Sequence, residues 1–136
     1  MGSVGVLDTS TLILLARVSD PAALPDEPTI SAITLAELSV GPVVAATEEE
    51  RVARLAHLQL AESDFDPIPF DSAAARAFAI VASSLRAAGR KPAARAYDAL
   101  IAATAISRGL PLHTCNPADF TGIPRLDLRP VPLLDS

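Results

Sequence analysis

Val4-Gly5-Val6-Leu7-Asp8-Thr9-Ser10-Thr11-Leu12-Ile13-Leu14-Leu15 decides the fold class. Val4 to Leu7 is a short apolar run that ends at an acid, and it reads as a buried strand. Asp8 to Thr11 supply four N-cap residue types in a row, and an apolar run follows that suits a helix. The chain therefore opens strand, polar turn, helix. Working outward, residues 19–28 hold three prolines and several acids and read as a loop. Thr29-Ile30-Ser31 suits a second short strand. A helix begins around Thr34 and is expected to end near Gly41-Pro42. Thr47 opens a third helix to about Ser63, with Glu48, Glu49 and Glu50 at the positive end of its dipole. Asp66-Pro67-Ile68-Pro69-Phe70 reads as an edge strand because of its prolines. Asp71 caps an Ala-rich helix that Gly89 stops near Ala88. Pro92 to Arg108 is the longest helical segment expected, with Gly109 just beyond. Leu110 to Thr114 is a strand, Asn116 to Phe120 a turn, and Leu126-Asp127-Leu128 a last edge strand.

Strands that alternate with helices, without an internal repeat, predict an α/β domain with a mainly parallel sheet and helices on both faces. At 136 residues the chain fits one domain, 1–136, with a short Pro-rich tail from about residue 127. Half the residues are hydrophobic, mean hydropathy is +0.36 and aromatics make up only 4%. Disorder is thereby excluded for most of the chain, and the core has to be built from Ala, Leu, Val and Ile. Leu12, Leu14, Leu15, Leu35 and Leu38 offer more apolar surface than one small sheet needs, which predicts a homodimer through helices of the N-terminal half. The single cysteine, Cys115, excludes an internal disulfide and fits a reducing cytoplasm. Arg17, the first basic residue, follows the first apolar run, the wrong order for a secretory signal. No apolar stretch approaches the ~20 residues of a membrane span, so a membrane partner is not expected.

The net charge is −5, which by itself argues against bulk binding of nucleic acid. That objection falls only if several acids serve as metal ligands. In an open parallel sheet, ligands sit outside the carboxyl ends of the strands. Asp8 ends the first strand there, although a helix cap explains it equally well. Glu37 lies at the same edge, and a capping box with Thr34 is its structural alternative. Asp98 is the only charge between Arg95 and Arg108, on a helix apolar nearly all round. A carboxylate in that setting needs a partner, either a metal ion or Arg95 three residues earlier. Asp119 follows the strand 110–114, where a solvated loop acid is the alternative. Four carboxylates at one edge repel one another unless a cation shares them, and they are hard ligands suited to Mg²⁺ or Mn²⁺. Such ions activate water and stabilise the leaving oxygen in phosphodiester hydrolysis.

Other chemistry has little support. The chain has no Gly-x-Gly-x-x-Gly and no phosphate-loop lysine. His57 and His113 make no zinc pattern and read as surface or core residues. Cys115 with His113 makes a poor nucleophile pair.

Four segments carry a resemblance. Val6-Leu7-Asp8-Thr9-Ser10, Ile33-Thr34-Leu35-Ala36-Glu37-Leu38, Tyr97-Asp98-Ala99-Leu100-Ile101-Ala102-Ala103-Thr104-Ala105 and Thr114-Cys115-Asn116-Pro117-Ala118-Asp119-Phe120 resemble the motifs of PIN-domain ribonucleases, specifically VapC-type toxins of prokaryotic toxin–antitoxin pairs. The likeness spans nearly the whole chain in order. It implies a three-layer fold with about five mainly parallel strands, and Mg²⁺- or Mn²⁺-dependent cleavage of RNA. Asp8, Glu37, Asp98 and Asp119 match the family's acidic positions. Thr9, Ser10, Thr114 and Asn116 match polar positions beside them that orient the acids or contact phosphate. The family is commonly dimeric and is inhibited by a small VapB-type antitoxin. Cys115 departs from the pattern, since many relatives carry Arg there. With so acidic a chain, Arg90, Lys91 and Arg95 are the candidates for RNA contact. Two other functions fit the same motifs: a PIN-like domain that binds protein without cleaving, and a metal-dependent nuclease for structured DNA.

Overall fold

A computed structural model describes residues 2–90 and 96–135. Strand β1 (Val4–Leu7) is the hinge of the architecture, because its side chains alternate between two cores. Val6 packs with Leu112, with Val81 and Leu85 of α4 (Ser72–Ala87), and with Ile101 and Ala102 of α5 (Ala96–Ser107). Leu7 faces the other way, with Ile30, Leu12 of α1 (Thr9–Ile13), Leu38 of α2 (Ala32–Val43) and Ala61 of α3 (Glu48–Asp64). Helices thus cover both faces, as the three-layer reading requires. The sheet has four parallel strands in the order β2-β1-β3-β4, with β2 at Glu27–Thr29, β3 at Leu112–Thr114 and β4 at Leu128–Pro130. β1 and β3 are therefore central, and both end at the same edge.

Small side chains build this core. In α5, Ala99 and every residue from Ile101 to Ala105 are buried, so the helix is enclosed nearly all round. Alanine lets α4 lie close against it. Both helices stop where glycine supplies a left-handed turn. Gly89 and Gly109 have φ of +77° and +63°, and Arg90 N–H and Leu110 N–H bond back to the Leu85 and Ala105 carbonyls at 2.9 and 3.0 Å. No described helix is long and apolar enough to cross a membrane.

Several boundaries differ from the sequence expectation. β2 starts two residues earlier than Thr29 and includes Pro28, which an edge strand tolerates. Residues 66–70 do not form a strand. Ile68 alone bridges to Ser31, with bonds from Ile68 N to the Ile30 carbonyl (2.9 Å) and from Ala32 N to the Ile68 carbonyl (2.8 Å). Pro67 and Pro69 flank it and have no N–H to extend the ladder. α2 is capped by Ser31, whose Oγ accepts from Thr34 N at 3.2 Å, so the Thr34–Glu37 capping box is absent and Glu37 sits in the second turn. α2 also runs through Gly41 and Pro42 to Val43. Arg54 of α3 makes this end workable, since its Nη1 donates to the Gly41 carbonyl at 3.0 Å. The expected helix 92–108 is described from Ala96, and α3 with 17 residues is the longest described helix. The last strand is shifted two residues past 126–128. The Pro-rich segment behind it folds back, with Leu134 N bonded to the Arg17 carbonyl at 2.7 Å. Leu12 and Leu38 are core residues, which removes two of the five leucines from the argument for a dimer face.

Candidate active site

Asp8 leaves the carboxyl end of β1 at 4% exposure and is the N-cap of α1. The helix cap that the sequence offers for Asp8 is therefore present, at the end of the strand. Its Oδ1 accepts from Thr11 N at 3.1 Å and from the Thr11 hydroxyl. Its Oδ2 accepts from the Thr114 hydroxyl at 2.7 Å. The two hydroxyls then accept in turn, Thr11 Oγ1 from Cys115 N at 3.0 Å and Thr114 Oγ1 from Asn116 N at 2.9 Å. One carboxylate therefore fixes the loop after β3 against the start of α1. Charge-assisted bonds of this kind are about twice as strong as neutral ones.

Glu37 is half-buried on α2 and faces the same strand end. Thr9 Oγ1 donates to its Oε1 at 2.7 Å and shares a hydrogen bond with Thr34 Oγ1 at 3.0 Å. Burial raises the Glu37 pKa, the Thr9 bond opposes that, and the negative charge of Asp8 raises it further. The two acids therefore feel each other. The Cys115 thiol is also pushed up, first by burial, with the charges of Asp8 and Asp119 adding to it. That leaves Cys115 protonated at neutral pH and unsuited to nucleophilic attack.

Asp119 is half-buried in a single 3₁₀ turn, Pro117–Phe120, and its N–H bonds to the Asn116 carbonyl at 3.1 Å. Asp98 is half-buried in the first described turn of α5, next to buried Ala99. Ser10 lies in α1 and Asn116 is exposed at the loop. Arg90 donates to Thr121 Oγ1 at 3.0 Å, just beyond the Asp119 turn, and among the described residues its buried Nη1 has no hydrogen-bond partner. Lys91 and Arg95 lie outside the described residues, and so does the Arg95 alternative for Asp98.

The donor set suits a hard divalent ion, because its side-chain ligands are carboxylate oxygens. Burial is the main cause of the raised Glu37 pKa, and the negative charge of Asp8 adds to it. Among the described residues, however, no three Asp, Glu, His or Cys side chains are gathered closely enough to enclose a metal ion.

Two residues that matter to this geometry were not singled out in the sequence. Thr11 and Thr34 are fully buried, and their hydroxyls complete the networks around Asp8 and Thr9. Thr11 was visible only as one of four consecutive cap residues. Thr34 was read as a cap and is instead a partner of Thr9.

Comparison with known proteins agrees with this arrangement. A PIN-domain family profile matches residues 5–125. The chain is 42% identical over 114 residues to Ribonuclease VapC5 of Mycobacterium tuberculosis, covering 82% of each chain. It is 34% identical over 133 residues to Ribonuclease VapC of Rickettsia bellii, covering 96% of this chain and 98% of the relative. Among solved structures it is similar to a member of the VapBC family of toxin–antitoxin systems, VapBC-5 from Mycobacterium tuberculosis, with a TM-score of 0.81, 39% identity, and coverage of 95% of this chain and 99% of the other. The family profile over residues 5–125 and relatives matched along most of its length place this chain in the PIN-domain family, among the VapC ribonucleases.

Proposed function

We propose that the chain is a Mg²⁺- or Mn²⁺-dependent endoribonuclease toxin, held inactive in the cytoplasm by a small VapB-type antitoxin. The observation that carries the reading is the mounting of Asp8. It is a buried carboxylate at the end of the central strand, held through both oxygens by Thr11 and Thr114, with Glu37 in reach of its charge. A purely structural cap needs one oxygen and no second acid beside it. The VapC names of the relatives support RNA as substrate, and the VapBC title of the similar structure supports an antitoxin partner.

In this reading Asp8, Glu37, Asp98 and Asp119 hold the ion, which supplies water activation and charge stabilisation at the phosphate. Thr11 and Thr114 fix the Asp8 oxygens in place. Thr9 orients Glu37, and Ser10 follows it in α1. Asn116 and Arg90, with Lys91 and Arg95, meet the phosphates of the RNA. A basic antitoxin segment suits the same acidic edge by charge complementarity.

The test is cleavage by the purified chain, with single-stranded RNA and structured DNA as parallel substrates. RNA should be cut with Mg²⁺ or Mn²⁺, left intact with chelator, and protected by the antitoxin. Preferential cleavage of the DNA would favour the DNA nuclease reading. Folded protein that binds antitoxin and cuts neither would favour the protein-binding one.

A further inference from the structure

A cavity of about 210 Å³ opens beside Glu37, between α1, α2 and α3. Its walls have three different characters. Ile13 and Leu38 supply apolar surface, Gly41 exposes backbone, and Arg54 and His57 of α3 supply a guanidinium and an imidazole. Arg54 is held in place by its bond to the Gly41 carbonyl at 3.0 Å and by Glu50 Oε2 at 4.0 Å. Those two contacts engage only part of its five N–H donors.

We infer that this cavity is a base-recognition subsite, which takes one unstacked nucleobase of the RNA next to the phosphodiester that is cut. The inference rests on the ribonuclease reading above and adds a specificity site to it. Size favours a single ring system, since the cavity is smaller than the ~300 Å³ at which sites for larger ligands begin. Chemistry favours a base. Proteins read single-stranded RNA by splaying bases out, stacking them on His or on Arg planes, and bonding their edges. Ile13 and Leu38 offer contact to a ring face, while Arg54 offers donors to its carbonyl or ring-nitrogen acceptors. Position supports the same occupant, because Thr9 and Glu37, which line this cavity, are bonded to each other and Thr9 directly follows Asp8 at the end of β1, so the cavity adjoins the acids to which the cut phosphodiester is assigned. A peptide side chain from an antitoxin would use the apolar walls with no need for the guanidinium.

The test is deep sequencing of the cut ends of a random single-stranded RNA pool, digested with Mn²⁺ by wild type, Arg54→Lys and His57→Ala. Arg54→Lys keeps the charge and the stem, and His57→Ala provides a second variant should the first disturb the α2 end. The wild type should show a base preference at one nucleotide adjacent to the cut. That preference should weaken about tenfold in Arg54→Lys, the scale of one lost bidentate contact. It should weaken in His57→Ala too, while preferences at other positions persist. Unchanged preference in both folded variants would overturn the subsite. So would variants that lose antitoxin binding but keep the wild-type cut pattern, which would make the cavity an antitoxin seat. Absence of any cutting by the wild type would remove the ribonuclease reading itself, and the subsite with it.

Discussion

Thr114→Val isolates the mounting of Asp8 at a single hydroxyl. Thr114 is fully buried, and valine keeps its shape. The substitution removes the 2.7 Å bond to Asp8 Oδ2 and the 2.9 Å acceptor of Asn116 N–H. A bond to a charged group contributes about 1.5–3 kcal/mol, and an orphaned amide that is only partly buried costs about 1 kcal/mol. The expected loss is therefore about 2–4 kcal/mol, or about 10 °C in melting temperature for a chain of this size. Thr11→Val removes the matching pair, the hydroxyl bond to Oδ1 and the 3.0 Å acceptor of Cys115 N–H, but Thr11 N still donates to Oδ1 at 3.1 Å, so it should cost slightly less. The double variant should depart from additivity, since both threonines serve one carboxylate. Urea and thermal melts of the three variants in chelator measure this directly. A Thr114→Val protein within about 0.5 kcal/mol of wild type, the range of neutral surface changes, would refute the reasoning. A larger loss from Thr11→Val than from Thr114→Val would refute it as well.

Other outcomes follow from the same geometry. Glu37 has a folded pKa above 4.5, so the stability it contributes is present below pH 4.5 and lost as pH rises through the folded value. Glu37→Gln should thus melt at or above wild type in chelator at pH 7, and gain less than wild type from Mn²⁺ in the same melt. Burial lowers the His113 pKa from 6.5 against the bond that its ring donates to the Ala23 carbonyl, with Arg129 lowering it and Asp127 raising it. Its contribution is complete above pH 6.5 and declines as pH falls toward the folded value, so His113→Gln should flatten the dependence of stability on pH below about 6.5. Gly5→Ala should destabilise by about 1–3 kcal/mol in a urea titration, since a Cβ there would lie 2.5 Å from His113 Nε2. The ring is pinned by its Nδ1 contact with the Ala23 carbonyl at 3.0 Å, which limits its escape.

Much of the fold was legible in the sequence because its signals were local. Val4 to Leu7 is an apolar run, Asp8, Thr47 and Asp71 are strong caps, and Gly89 and Gly109 mark helix ends; each feature appears where it was read. The misplacements arose where tertiary contacts override local preference. Gly41-Pro42 reads as a stop, but Arg54, thirteen residues away, satisfies the helix end. Ser31 and Thr34 are both good caps, and only the bridge from Ser31 to Ile68 fixes which one starts the helix. Of the site, Asp8 and Glu37 were legible as acids at one sheet edge. The hydroxyls of Thr11 and Thr34 were not, because Thr11, three residues after Asp8, looks the same as any residue of a cap turn, and Thr34 meets its partner Thr9 only across 25 residues of chain. Arg54 and His57 gave no signal, since only the packing of α3 on α2 brings them beside Glu37.

The central claim is that Asp8, Glu37, Asp98 and Asp119 together hold a divalent ion. A calorimetric Mn²⁺ titration of the chelator-stripped chain and of the four single acid-to-amide variants tests it most directly. The wild type should bind Mn²⁺, and each variant should bind it at least about tenfold more weakly, the lower range for disturbing a metal site. Wild-type protein that binds no Mn²⁺, or Asp8→Asn and Asp98→Asn variants that bind it as tightly as wild type, would contradict the account.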